Sequence, residues 1–83
     1  MAAEKKAKKA NSNEIGAFFR ARRIEAGVAE AATAAYLECP LETFLQFESG
    51  ERALPLNIAY ALANFLNIEP DDVLKLFGAV RRP

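Results

Sequence analysis

GVAEAATAAYLECPLETFLQFESG, residues 27–50, is the stretch whose reading decides the fold. It divides into two short helical segments, residues 29–37 and 41–48, with Glu38, Cys39 and Pro40 between them. Pro40 cannot continue the first segment. It has no backbone N–H, its ring clashes with the preceding turn, and it pushes Cys39 towards an extended conformation. The same ring is well tolerated where the next helix begins. Gly27 and Gly50 bracket the pair, and each can take the left-handed backbone that stops a helix. Ala34 and Leu37 are the expected core residues of the first segment, and Phe44 and Phe47 those of the second. Thr33 fills space less well than Leu and should mark a thinner contact. Leu41 and Leu45, one turn apart, form a separate stripe. Two helices joined by so short a connection make a helix-turn-helix unit, a motif that most often reads DNA through its second helix.

The charge in this stretch is of the wrong sign for that role. It holds no Lys and no Arg, but carries Glu30, Glu38, Glu42 and Glu48. The formal net charge of the 83-residue chain is zero, yet the charges are segregated. Lys5, Lys6, Lys8 and Lys9 against Glu4 leave the first ten residues at +3. Five cations against ten acids leave residues 11–80 at −5, and Arg81 with Arg82 returns +2. An acidic body therefore carries two basic tips. DNA affinity comes largely from neutralised phosphates, and the body offers little for that.

The flanking segments complete an all-α reading. Residues 1–12 lack a periodic apolar face and read as a flexible basic arm. Asn11 or Asn13 can cap a first helix reaching about Ala26, with Glu14 completing a capping box on Asn11. Ile15, Phe19 and Arg23 share one stripe of it. A fourth helix, residues 55–66, shows a broad apolar face of Ile58, Ala59, Leu62, Ala63, Phe65 and Leu66, and Asn67 can end it. Pro70, Asp71 and Asp72 suit the start of a fifth. Val73, Leu74, Leu76 and Phe77 face inward from it, and Gly78 stops it. The expectation is a five-helix domain at residues 13–78, a short tail at 79–83, and no strand. Eighty-three residues allow one small core.

These residues, taken together, resemble the phage repressor and Cro family of helix-turn-helix proteins, also called XRE-type. The likeness is carried by Ile15–Gly16, Phe19–Arg20, Arg23, Gly27–Val28, Ala34, Leu37, Phe44, Phe47–Glu48, Gly50–Glu51–Arg52, Pro55, Leu62–Ala63, Leu66 and Pro70. It covers the chain from about Glu14 to Phe77. The resemblance implies a DNA-binding transcriptional regulator acting on double-stranded DNA. It implies a structural ion pair between Arg23 and Glu48, and a phosphate contact near Arg52. It makes the second helix of the unit a recognition helix that reads bases through Leu41, Glu42, Leu45 and Gln46. Relatives often pair through the last helix, which makes Leu76, Phe77 and Val80 the candidates for a homodimer interface. The departures lie on the outer surface. Ala29 stands where a capping side chain is usual, Glu38 where Gly is usual in the turn, and Pro40 where a capping Ser is common. Glu30 replaces a residue that often contacts phosphate.

Base reading remains chemically open. Leu41 and Leu45 could touch thymine methyls, Glu42 could accept from cytosine N4, and Gln46 could pair with adenine. Lys5, Lys6, Lys8 and Lys9 could supply phosphate contacts as an arm. Weak, salt-sensitive DNA binding is expected. The alternative is a degenerate unit that binds another protein through an apolar patch at Leu41 and Leu45. Enzyme chemistry is disfavoured: there is no His, a single Cys and no phosphate loop. No cofactor and no metal are expected. Cys39 alone cannot form an intramolecular disulfide, and no apolar run approaches a membrane span, so a cytoplasmic location is the simplest reading.

Overall fold

The computed structural model describes residues 11–78; Lys5, Lys6, Lys8, Lys9 and Val80 lie outside the described residues. Among those residues there are five helices and no strand: α1 (Ser12–Glu25), α2 (Glu30–Leu37), α3 (Leu41–Ser49), α4 (Leu56–Leu66) and α5 (Pro70–Phe77).

Helix α1 starts where its capping chemistry dictates. The Asn11 side chain accepts from the Glu14 backbone N–H, and the Glu14 carboxylate accepts from that of Asn11. This reciprocal box satisfies two donors that would otherwise be orphaned at the helix start. The next three helices start without any side-chain cap, Ala29, Pro40 and Pro55 occupying their N-cap positions. Pro40 and Pro55 thus precede their helices, where an extended backbone suits the ring, and neither is the first helical residue.

Helix ends are set by left-handed residues. Gly27, Gly50 and Gly78 have positive φ, as do Glu38 (φ 58°) and Asn67 (φ 61°). Asn tolerates that region; Glu does so at a cost. At Glu38 the backbone N–H donates to the Ala35 carbonyl, and Cys39 N–H donates to Ala34. These bonds close the end of α2 and hold the tight turn into α3.

The core gathers Ile15 and Phe19 from α1, Ala34 from α2, Phe44 and Phe47 from α3, Ala59, Leu62, Ala63 and Leu66 from α4, and Val73 from α5. Leu54 and Ile68, in the connections, are buried with them, although periodicity did not mark them out. Leu37 is only half-buried, at the edge of this cluster. Thr33 corrects the expectation of a thin contact: it is fully buried. Its hydroxyl donates to the Ala29 carbonyl at 3.0 Å, so burial leaves no unsatisfied donor.

Helix α1 comes close to the end of α3 at Gly16. A Cβ there would come to 2.5 Å from the carbonyl oxygens of both Phe47 and Glu48. Those are backbone atoms at the end of α3, so they cannot swing aside. Gly50 lies equally tightly on α1, where a Cβ would come to 2.8 Å from the Asn13 Cα. Absence of side chains at these two positions sets the distance between α1 and the end of α3. Replacing Gly16 by Ala should cost about 1–3 kcal/mol, the range for overpacked cores. Thermal unfolding followed by circular dichroism checks it; an unchanged midpoint would show that the two helices can part without penalty.

Candidate functional site

The α2–turn–α3 unit is tied to α1 by a buried charge cluster. Arg23 comes from the last turn of α1, on the stripe that also carries Ile15 and Phe19. Its Nε donates to Glu48 Oε2 at 2.7 Å, and a terminal nitrogen donates to Glu48 Oε1 at 3.3 Å. The other terminal nitrogen donates to the Val28 carbonyl at 2.8 Å. Both side chains are more than nine-tenths buried. The guanidinium fork therefore grips three elements at once: its own helix, the lead-in to α2 and the end of α3. Two parallel N–H···O bonds give the pair directional strength that a lysine could not match.

A second carboxylate shares this arginine. Glu30, the first residue of α2, places Oε2 at 3.6 Å from the Arg23 terminal nitrogen. Its side chain is about half exposed, so the contact adds little stability. It does turn the Glu30 carboxylate towards Arg23. The Glu48 hydrogen bond raises the Arg23 pKa, burial opposes the rise, and the charges of Glu48 and Glu30 add to it. A raised pKa gives a contribution that is complete below the ordinary arginine value and is lost only as pH climbs through the folded one. The pair is thus insensitive to pH on the arginine side throughout the neutral range.

Helix α3 faces two ways. Phe44, Phe47 and Glu48 point inward. Leu41, Glu42 and Leu45 are exposed, with Leu41 at 43% and Leu45 at 39%. Both leucines lie outside the core because Phe44 and Phe47 already fill the inner side. Glu38 is also exposed in the turn. Gln46 is half-buried and is committed to the loop beyond the helix. Its Oε1 accepts from Arg52 Nε at 2.9 Å, and its carbonyl accepts from the Arg52 backbone N–H. That contact bridges six positions across a helix end, a separation that no periodic pattern signals. It fixes the exposed Arg52 guanidinium beside the end of α3.

Among the described residues no ion pair joins another cation to Glu38 or Glu42. Arg22 pairs with Glu25 at 3.8 Å and lies over the Phe18 ring. Leu76 and Phe77 are half-buried, packing against the core from the last helix. The same signal that missed the Arg52 anchor also missed a surface stack, Tyr36 on Phe65, with Asn64 donating to the Tyr36 hydroxyl at 3.2 Å. Among the described residues there is no cluster of acids and cysteine able to hold a metal ion, and no helix is long and apolar enough to cross a membrane.

No family model and no curated protein sequence matches this chain. Among solved structures it is similar to the restriction-modification controller protein C.AhdI from Aeromonas hydrophila, with a TM-score of 0.66 and 24% sequence identity. The likeness covers 74% of this chain and 92% of that one. The fold is therefore an all-α arrangement already known in a controller protein, with α2 and α3 as its helix-turn-helix.

Removing one partner of the buried pair should be far worse than removing both. Arg23→Met leaves the Glu48 carboxylate buried and unpaired, at about 3–5 kcal/mol. The double change Arg23→Met with Glu48→Met should recover most of that loss. Urea denaturation of the three proteins checks the ordering; a single variant no weaker than the double one would show that the pair is dispensable.

Proposed function

We propose that this chain is a helix-turn-helix regulator of transcription that binds double-stranded DNA weakly through the outer face of α3. The observation that carries the reading is how α3 is presented. The Arg23–Glu48 pair and the Gly16 contact hold it against α1, while Leu41, Glu42 and Leu45 stand clear of the core. A helix held rigidly by its inner side and bare on its outer side can enter a major groove. Similarity of fold to a restriction-modification controller protein supports the same reading.

In this reading Leu41 and Leu45 contact thymine methyls and Glu42 accepts from a cytosine amino group. Gln46 acts mainly by holding Arg52, which is the body's phosphate contact. Lys5, Lys6, Lys8 and Lys9 supply the other phosphate contacts. Pairing of two copies through the last helix, using Leu76, Phe77 and Val80, would set two α3 helices on two half-sites. Because the described body carries five cations against ten acids, most of the affinity must come from the arm.

A second reading has its own observation. Two exposed leucines one turn apart, beside Glu38 and Glu42, form an apolar patch with an acidic edge. Such a patch suits a protein partner as well as a groove. Leu41→Ala with Leu45→Ala would abolish that partner's binding while leaving arm-driven duplex binding nearly unchanged.

Fluorescence anisotropy with a random-sequence duplex tests the leading reading. About four or five phosphate contacts predict a log–log salt slope near −4, hence a loss on the order of 10²-fold between 50 and 200 mM salt. Arg52→Ala should weaken binding and make that slope shallower by about one. Tight binding that ignores salt, or no binding even at low salt, would overturn the reading.

A further inference from the structure

The acidic, apolar outer face of α2 and α3 has a counterpart in the same chain. We propose that the basic segment of residues 1–10 docks on its own α2–α3 face, over Leu41 and Leu45 and between Glu38 and Glu42, whenever that face is free. Three observations lead there.

Charge complementarity is the first. The segment MAAEKKAKKA is at +3; the cations of residues 11–78 are Arg20, Arg22, Arg23, Arg52 and Lys75, and Arg81 and Arg82 follow at the far end. The stretch of residues 27–50 has no cation of its own. Among the described residues neither Glu38 nor Glu42 has an ion-pair partner, whereas Glu30 and Glu48 are both engaged by Arg23.

Reach is the second. The segment is rooted at Asn11, the N-cap of α1. That end of α1 is beside α3, because Asn13 lies directly against Gly50. The nine residues of α3 span about 13 Å at 1.5 Å per residue. Ten extended residues reach at most ~33–36 Å. The segment can therefore pass along the whole of α3 from Gly50 to Leu41 and still reach the turn at Glu38.

Chemical match is the third. Leu41 and Leu45 are among the most exposed large apolar side chains described. Met1 and the alanines of the segment can cover them while Lys5, Lys6, Lys8 and Lys9 meet the two carboxylates. Tethering keeps the local concentration of the segment near millimolar, so individually weak contacts suffice. Screening beyond ~8 Å at physiological ionic strength makes the docking sensitive to salt.

The docking does not depend on DNA binding, but its consequence does, and that consequence rests on the reading proposed above. The same lysines cannot cover the acidic face and contact phosphates together. A duplex would draw the segment off α3 and bare the reading face in one step, which makes residues 1–10 a built-in competitor for α3.

The test is made without DNA, so it fails separately from the DNA reading. Amide ¹H–¹⁵N spectra of the full chain are compared with those of the full chain in which Lys5, Lys6, Lys8 and Lys9 are changed to Gln. At low salt the expected shift differences fall on Glu38, Leu41, Glu42 and Leu45, and they are lost at high salt. The Glu38→Gln, Glu42→Gln chain should show no such differences on the same comparison. Differences confined to residues next to Asn11, or persisting in the Glu38→Gln, Glu42→Gln background, would overturn the proposal. Differences that grow with protein concentration would also overturn it, by assigning the contact to the segment of a second copy.

Discussion

Everything that the outer face can do depends on one buried guanidinium. Arg23 is held by Glu48 from α3 and by the Val28 carbonyl from the approach to α2. Burying an ion pair contributes little net stability, because desolvation consumes most of the Coulombic gain. What it does contribute is definition. A guanidinium fork has one arrangement that satisfies a carboxylate at two points and a carbonyl at a third, and any sliding of α3 along α1 leaves a charge unpaired. The glycines at positions 16 and 50 add a steric constraint of the same sense. Polar geometry and close approach together fix the attitude of α3, and the apolar core then fills what remains.

With α3 fixed, its two sides acquire separate tasks. Phe44 and Phe47 enter the core, so Leu41 and Leu45 must stay outside. Their exposure follows from helical geometry once the phenylalanines are buried. Around them the charge is negative, which is unfavourable next to phosphate and favourable next to a basic peptide. The chain carries such a peptide at its own start. Arg52 is the exception on this side, a cation anchored by Gln46 at the far end of α3.

Most of the fold was legible in the residues because the punctuation is strong. Asn11 with Glu14, Gly27, Pro40, Gly50, Asn67, Pro70 and Gly78 each act through local backbone chemistry, and the five helices fall between them as expected. The exposure of Leu41 and Leu45 was legible too, since two phenylalanines on the other side already accounted for the core. Leu54 and Ile68 escaped notice because connections carry no period. Thr33 was misjudged because its hydroxyl finds a local carbonyl one turn back, which makes a polar side chain acceptable at full burial. Glu30 was read only as an outward acid; that it turns to Arg23 depends on how the residue 26–29 turn brings the start of α2 over the end of α1.

By itself the sequence determined the elements and their stops, the all-α class, the inner stripe of each helix and the segregation of charge between the ends and the body. These are local properties, set by backbone sterics, capping and periodicity within a few residues. Only the tertiary structure decided which charges meet. It placed two carboxylates on Arg23, put Gln46 against Arg52, and left Glu38 and Glu42 without partners among the described residues. The Arg23–Glu48 pairing depends on the distance between α1 and α3, which packing around Gly16, Gly50 and Phe44 sets, and the Gln46–Arg52 contact depends on the path of the loop that leaves α3.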